Sequence, residues 1–251
     1  MKSIRIIGLA GIPLIKPGDR LGYLIVEAAE RMGESILDDD IIVVTHVAVA
    51  KAEGCVIDAD SVVASDFAKH IAALTGKDPR YVEIILRNSK TIVKIRRGVI
   101  ICETHHGFVC ANAGVDASNV SGGSQFAPIP PDPDASAARI RREIAELTGR
   151  DVAVIVSDTH GRPFRKGTIN VAIGCSGIEP LWDRRGEKDL YGRVLVSKIT
   201  CVADEICSAA ELVMGQAAEG IPAAIVRGYQ YRKSEVSARE IIRPEEEDIF
   251  R

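Results

Sequence analysis

The chain has 251 residues, 46% hydrophobic and 27% charged, with a formal net charge of −3. That is enough apolar sequence for a sizeable core, in one large domain or two small ones, and the charge gives no basic footprint for nucleic acid. No run of about 18 apolar residues occurs, so no membrane span is expected; with no signal-like apolar segment at the N-terminus, the sequence reads as a cytoplasmic protein.

Residues 3–9 read as a strand, followed by a Gly/Pro loop over 10–17 and an amphipathic helix over 18–32. A second strand is expected over 40–47, where Ile41, Ile42, Val43 and Val44 are consecutive. Asp60 or Ser61 is the expected cap of a helix through Leu74 that stops at Gly76, and 79–87 reads as a short helix. Residues 91–95 and 99–102 form a plausible hairpin across Arg96-Arg97-Gly98. The stretch 104–123 is long, polar and Gly-rich, a composition typical of functional or disordered loops. Residues 128–133 read as a stiff extended linker. A helix over 134–148 follows, capped by Asp134 or Ser136 and stopped by Gly149.

Residues 152–156 are a short continuous apolar run, which suits a strand covered on both faces. A further helix is expected over 204–216, and the acidic tail from Arg243 reads as a solvated end. Strands alternating with helices, plus one hairpin, predict a mixed α/β or α+β fold. The six cysteines contain no Cys-x-x-Cys pair and lie mostly in apolar surroundings, so they read as reduced, buried small hydrophobes. Aromatics are only 4% of the chain, which argues against stacking on single-stranded nucleic acid.

The most telling motif is Ser157-Asp158-Thr159-His160-Gly161-Arg162-Pro163-Phe164-Arg165, read as leaving the end of that strand. Asp and Thr oxygens suit Mg²⁺ or Mn²⁺, and arginines hold phosphate or carboxylate in a planar fork. A surface ion pair after a turn is the plain alternative. Asn112-Ala113-Gly114-Val115-Asp116-Ala117-Ser118-Asn119 either presents Asp116 to a metal and Asn119 to a ligand, or is a solvated Asx turn. Lys51, in Lys51-Ala52-Glu53-Gly54, is either a phosphate contact or an ordinary surface lysine. His105 and His106 face opposite ways on an extended chain, so they do not share one metal. No P-loop or Gly-x-Gly-x-x-Gly motif is present.

Taken in order, these motifs resemble the coenzyme F420-0:L-glutamate ligase family, the gamma-glutamyl ligases of F420 biosynthesis. The set comprises Gly11-Ile12-Pro13-Leu14, Lys51-Ala52-Glu53-Gly54, Gly114 through Asn119, Ser157-Asp158-Thr159 with Gly161-Arg162-Pro163, and Glu211 through Gln216. The resemblance implies one ligase domain over 1–251, with room for two subdomains, a fold peculiar to the family and an intertwined homodimer. It implies GTP, L-glutamate and coenzyme F420-0 as substrates, with two Mg²⁺ or Mn²⁺ ions and K⁺. By motif, Gly11, Ile12, Pro13, Leu14, His46, Val47, Lys51 and Asn119 would contact GTP, as would Val213, Met214, Gly215, Gln216, Ala217, Ala218 and Glu219. Asp116, Asp158, Thr159 and Gln216 would be metal ligands. Charge and position add Arg162 and Arg165 as clamps for a substrate carboxylate or phosphate. Ala50 stands where many members carry Ser, and His160 where an aromatic is frequent. Two other readings use the same residues: a metal-dependent phosphohydrolase and a nucleotide-binding regulatory module.

Overall fold

The structure is a computed structural model that describes residues 3–120 and 122–248. Along the chain it runs β1 (Arg5–Gly8), α1 (Leu21–Arg31), β2 (Ile41–Thr45), α2 (His46–Ala52), β3 (Ile57–Asp58), α3 (Asp66–Thr75), α4 (Pro79–Arg87), β4 (Ser89–Arg96), β5 (Val99–Thr104) and β6 (Val109–Ala111). It continues with β7 (Gln125–Phe126), α5 (Pro133–Thr148), β8 (Ala153–Gly161), β9 (Thr168–Ser176), β10 (Leu181–Asp183), β11 (Ile199–Cys201), α6 (Val202–Met214) and β12 (Ala223–Arg227). The mixed α/β expectation holds.

The centre is a five-stranded sheet in the order β1-β12-β2-β8-β9. Only the β2–β8 pair is parallel. Their paired segments Ile41–Val44 and Ala153–Val156 are apolar residue after residue because both faces are covered. Ile42, Val44, Val154 and Val156 pack under α1 and α5, whereas Ile41, Val43, Ala153 and Ile155 pack under α6. A separate apolar cluster joins α3 and α4 to β4 and β5, around Ile84, Ile85 and Ile100. The expected three-residue connection Arg96-Arg97-Gly98 shortens to Arg97-Gly98, with β4 and β5 paired from Arg96↔Val99 back to Ser89↔Thr104.

Several boundaries move, each for a local reason. The strand expected over 40–47 ends at Thr45, whose hydroxyl accepts from Ala48 N at 3.3 Å and starts α2 at once; His46 and Val47 are therefore helical. Asp60 and Ser61 do not cap α3. The Asp58 carboxylate takes the Asp60 N–H at 2.9 Å and closes a short 3₁₀ turn, and Ser65 is the cap. Asp132, not Asp134 or Ser136, caps α5, with Pro133 at the first helical position. Asp134 instead accepts from Cys175 N and Ala238 N, tying α5 to β9 and the C-terminal segment. The helix expected over 204–216 runs two residues earlier, as Val202–Met214. Residues 104–123 are not one loop, since β6 and a turn at Asn112–Gly114 lie within them. All six cysteines are free, and four of them are buried.

The close packing of α5 on β9 is visible at Gly174, where a Cβ would lie 2.4–2.5 Å from Pro133 backbone and ring atoms. Gly174→Ala is expected to cost about 1–3 kcal/mol, the usual penalty for overpacking, read as a lowered urea midpoint. Gly161→Ala meets nothing within 4 Å and should stay within about 0.5 kcal/mol of the parent.

Candidate active site

The C-terminal ends of β2 and β8 open into a cavity of about 910 Å³. Crevices beyond the carboxyl ends of parallel strands are where open α/β sheets bind ligands, and this volume suits a small molecule or cofactor. Five stretches build its walls: the loop after β1, the start of α2, the turn from Asn112 to Asn119, the outer half of β8 and the segment after α6.

Ser157-Asp158-Thr159-His160-Gly161 does not leave a strand end, contrary to the sequence reading. It is strand throughout, paired residue by residue to β9 as far as Gly161↔Thr168. A bulge falls between Val156 and Ser157, and bulges re-aim side chains next to functional sites. Beyond it Asp158 is buried, at 5% exposure. Its Oδ1 accepts from His46 Nδ1 at 2.9 Å and from the Thr159 N–H at 2.7 Å. Its Oδ2 accepts from His160 Nε2 at 3.0 Å. Burial would raise the Asp158 pKa, but the His46 charge and the two histidine hydrogen bonds hold the carboxyl well below its usual range. Burial would likewise lower the His46 pKa, yet the Asp158 charge and their hydrogen bond raise it, with a smaller push from Asp116. Both carboxylates therefore act on one imidazole.

The second carboxylate is delivered by a strained turn. Asn112, Ala113 and Gly114 are consecutively left-handed, with φ of 53°, 56° and 66°, and such strain gathers at functional sites. At Gly114 a side chain would also strike Ile129 Cδ1 at 2.5 Å and approach Asp158 Oδ2 to 3.4 Å. Asp116 is then fixed by paired backbone bonds with Ala127, at 2.9 and 2.8 Å. Its Oδ1 accepts from Ser118 N and Oγ, each at 2.7 Å.

A third group involves Asn170, which the sequence reading missed. Its side-chain oxygen accepts from the Thr159 hydroxyl at 3.0 Å and from the Gln216 amide at 2.9 Å. The available signal was one amide in a strand that is otherwise largely apolar, Thr168–Ser176. Asn112 and Ser157, from the two motifs above, also line the cavity, as do Thr45, Asp58 and Gln125, to which the sequence drew no attention.

The cavity brings together Ile12, Pro13, Leu14, His46, Val47, Lys51, Asp116, Asn119, Asp158, Thr159, Met214, Gly215, Gln216, Ala217 and Glu219. Lys51, in the last turn of α2, is half-buried; its pKa is lowered by burial, and it makes no ion pair among the described residues. Gly11 and Ala218 are exposed and do not line the cavity. Val213 packs against the apolar cluster beneath α6. Arg162 and Arg165 sit in the connection between β8 and β9, also outside the cavity.

Among the described residues no three His, Cys, Asp or Glu side chains are arranged to hold a metal ion by themselves. Mg²⁺ asks for less: one or two carboxylates, completed by phosphate oxygens and water. Asp116 and Asp158 meet that requirement, and the Thr159 hydroxyl and Gln216 amide add hard oxygen donors on the same cavity wall.

The family model for F420-0:Gamma-glutamyl ligase matches residues 10–228. The chain belongs to that family. It is 50% identical over 251 residues to the coenzyme F420:L-glutamate ligase of Methanothermobacter thermautotrophicus, covering 99% of each chain. Identity to the enzyme of that name from Methanocaldococcus jannaschii is 47%, covering 100% of this chain and 98% of the relative. For Archaeoglobus fulgidus it is 43%, covering 99% and 96%. The family match spans every cavity residue from Ile12 to Pro222.

Because Asp158 is buried and charged, removing a histidine partner leaves an uncompensated ion. His46→Leu is expected to destabilise the fold by roughly 3–5 kcal/mol, measured by urea denaturation. Asp158→Asn in the same chain should recover about 1–3 kcal/mol of that loss through coupling; strictly additive effects would contradict the pairing.

Proposed function

We propose that the protein is a GTP-dependent ligase that adds γ-linked L-glutamate residues to coenzyme F420-0, and then to the product carrying one glutamate, in coenzyme F420 biosynthesis. The observation that carries this reading is the convergence of Lys51, Asp116, Asn119, Asp158, Thr159 and Gln216 on one cavity in a chain of this family. The cavity offers an unpaired cation for phosphates and two carboxylates for a divalent ion.

A carboxylate is a poor electrophile, so amide formation needs activation. An oxygen of the acceptor carboxylate forms a bond to the γ-phosphorus of GTP, and the bridging P–O bond breaks with its electron pair leaving on GDP. The glutamate nitrogen then forms a C–N bond to the acyl carbon. The C–O bond to phosphate breaks, inorganic phosphate departs with that pair, and the nitrogen loses its proton. Lys51 would hold the phosphate oxygens as a point charge. Loop residues Ile12, Pro13 and Leu14, with Asn119 and the segment after α6, would enclose the nucleotide. Asp116, Asp158, Thr159 and Gln216 would hold two Mg²⁺ or Mn²⁺ ions, which when bound offset charge developing on the phosphoryl oxygens. Potassium would serve as an accessory ion.

We also propose a homodimer. Between β10 and β11, Leu190 and Tyr191 are 99% and 96% exposed, and Phe164, between β8 and β9, is 92% exposed. A second copy packed on these segments would remove their apolar surface from water. Among the described residues no helix is long and apolar enough to cross a membrane.

The test is an assay of purified protein with GTP, Mn²⁺, L-glutamate and the non-glutamylated coenzyme, read by mass spectrometry. Mass gains in glutamate units with matching GDP are expected. GDP without a new mass would favour a phosphohydrolase, and bound GTP without any product would favour a regulatory module. Asp116→Asn should lower turnover by at least about a hundredfold, the scale of removing one preorganised electrostatic group, with an unchanged melting temperature.

A further inference from the structure

The proposed ligation needs three reactants, and the nucleotide and acid acceptor both call on the large cavity. A second cavity of about 220 Å³ adjoins it, smaller than the roughly 300–1,000 Å³ of drug-sized ligand sites. The two meet at the β8–β9 ladder. Asp158 lines the large cavity, and its direct partner Val171 lines the small one. Such partners on antiparallel strands lie about 4.5–5.5 Å apart. His160, which donates to Asp158 Oδ2 at 3.0 Å, lines the small cavity as well.

Two carboxylates, Asp204 and Asp248, and one guanidinium, Arg243, line the small cavity together with an apolar wall. Arg243 is exposed and makes no ion pair or side-chain hydrogen bond among the described residues. Asp204 is fixed in position, because its Oδ1 accepts from Ala172 N at 2.9 Å. Phe108, Val171 and Ile242 supply apolar surface. A fixed carboxylate, a free guanidinium and an apolar floor complement the ammonium, the carboxylate and the methylenes of an α-amino acid.

We propose that this cavity is the subsite for the incoming amino acid, an inference that rests on the ligase reading above. Arg243 takes the carboxylate and Asp204 the ammonium; once the ammonium has given one proton to solvent, the neutral amine attacks the acyl carbon from the His160 side and loses a second proton as phosphate departs. Arg243 is thus a specificity-determining residue for the amine substrate, outside the large cavity.

The test uses steady-state kinetics of the full chain with saturating GTP and coenzyme and varied L-glutamate. Arg243→Gln, at an exposed and unpaired position, should fold normally. Val171→Phe fills the cavity from a different wall. Each should raise the KM for L-glutamate at least about tenfold while leaving the KM for GTP within about twofold. An unchanged glutamate KM in folded Arg243→Gln overturns the subsite, as does a parallel rise in both KM values. If the parent protein forms no glutamate-dependent product, the ligase reading falls first and the subsite with it, an outcome distinct from a working ligase whose glutamate KM ignores Arg243.

Discussion

The site depends on keeping one carboxylate ionised where water cannot solvate it. Asp158 lies at the carboxyl end of the central sheet, and its burial opposes its charge. Two histidines and a backbone N–H answer that penalty. Each partner imposes a structural demand. His46 must turn inward directly after β2, which is why α2 begins without a loop. Thr159 and His160 must stay in the ladder, which is why β8 continues past the apolar run. A buried charge is costly whenever one partner is lost, so the local geometry of three elements is tied to one side chain.

Around that anchor the cavity is assembled from stretches far apart in sequence, and each brings donors of a different kind. The strained turn at Asn112–Gly114 carries Asp116 toward Asp158, and the paired bonds to Ala127 hold it there. Asn170 links the Thr159 hydroxyl to the Gln216 amide across β9 and the end of α6. Lys51 adds a cation near these anionic and amide groups. The cysteines, by contrast, are free and serve mainly as packing.

Much of this was legible in the sequence, because the motifs are chemically unusual. A carboxylate, a hydroxyl and two arginines after a Val/Ile run pointed to Asp158, and the Asn/Gly turn pointed to Asp116. The apolar runs gave β2 and β8 because parallel, doubly covered strands leave a continuous hydrophobic signature. Less visible were features created by tertiary pairing. Polar residues 157–161 read as a loop, because the β9 partner that extends the strand cannot be inferred from local composition. Asp60 and Asp134 are good caps by type, but Ser65 accepts the first free N–H of α3 and Asp132 that of α5, while the Asp134 carboxylate accepts from the distant Cys175 and Ala238 N–H groups. Asn170 became visible only once β9 was placed beside β8. Arg162 and Arg165 looked like substrate clamps by charge, yet the hairpin carries them outside the cavity.

The account is tested most directly by calorimetric titration of the purified protein with a slowly hydrolysed GTP analogue, with and without Mn²⁺, against the Asp158→Asn variant. Binding that requires Mn²⁺ in the parent and is lost in a folded Asp158→Asn protein is the predicted result. Equal, metal-independent binding in both proteins would contradict it.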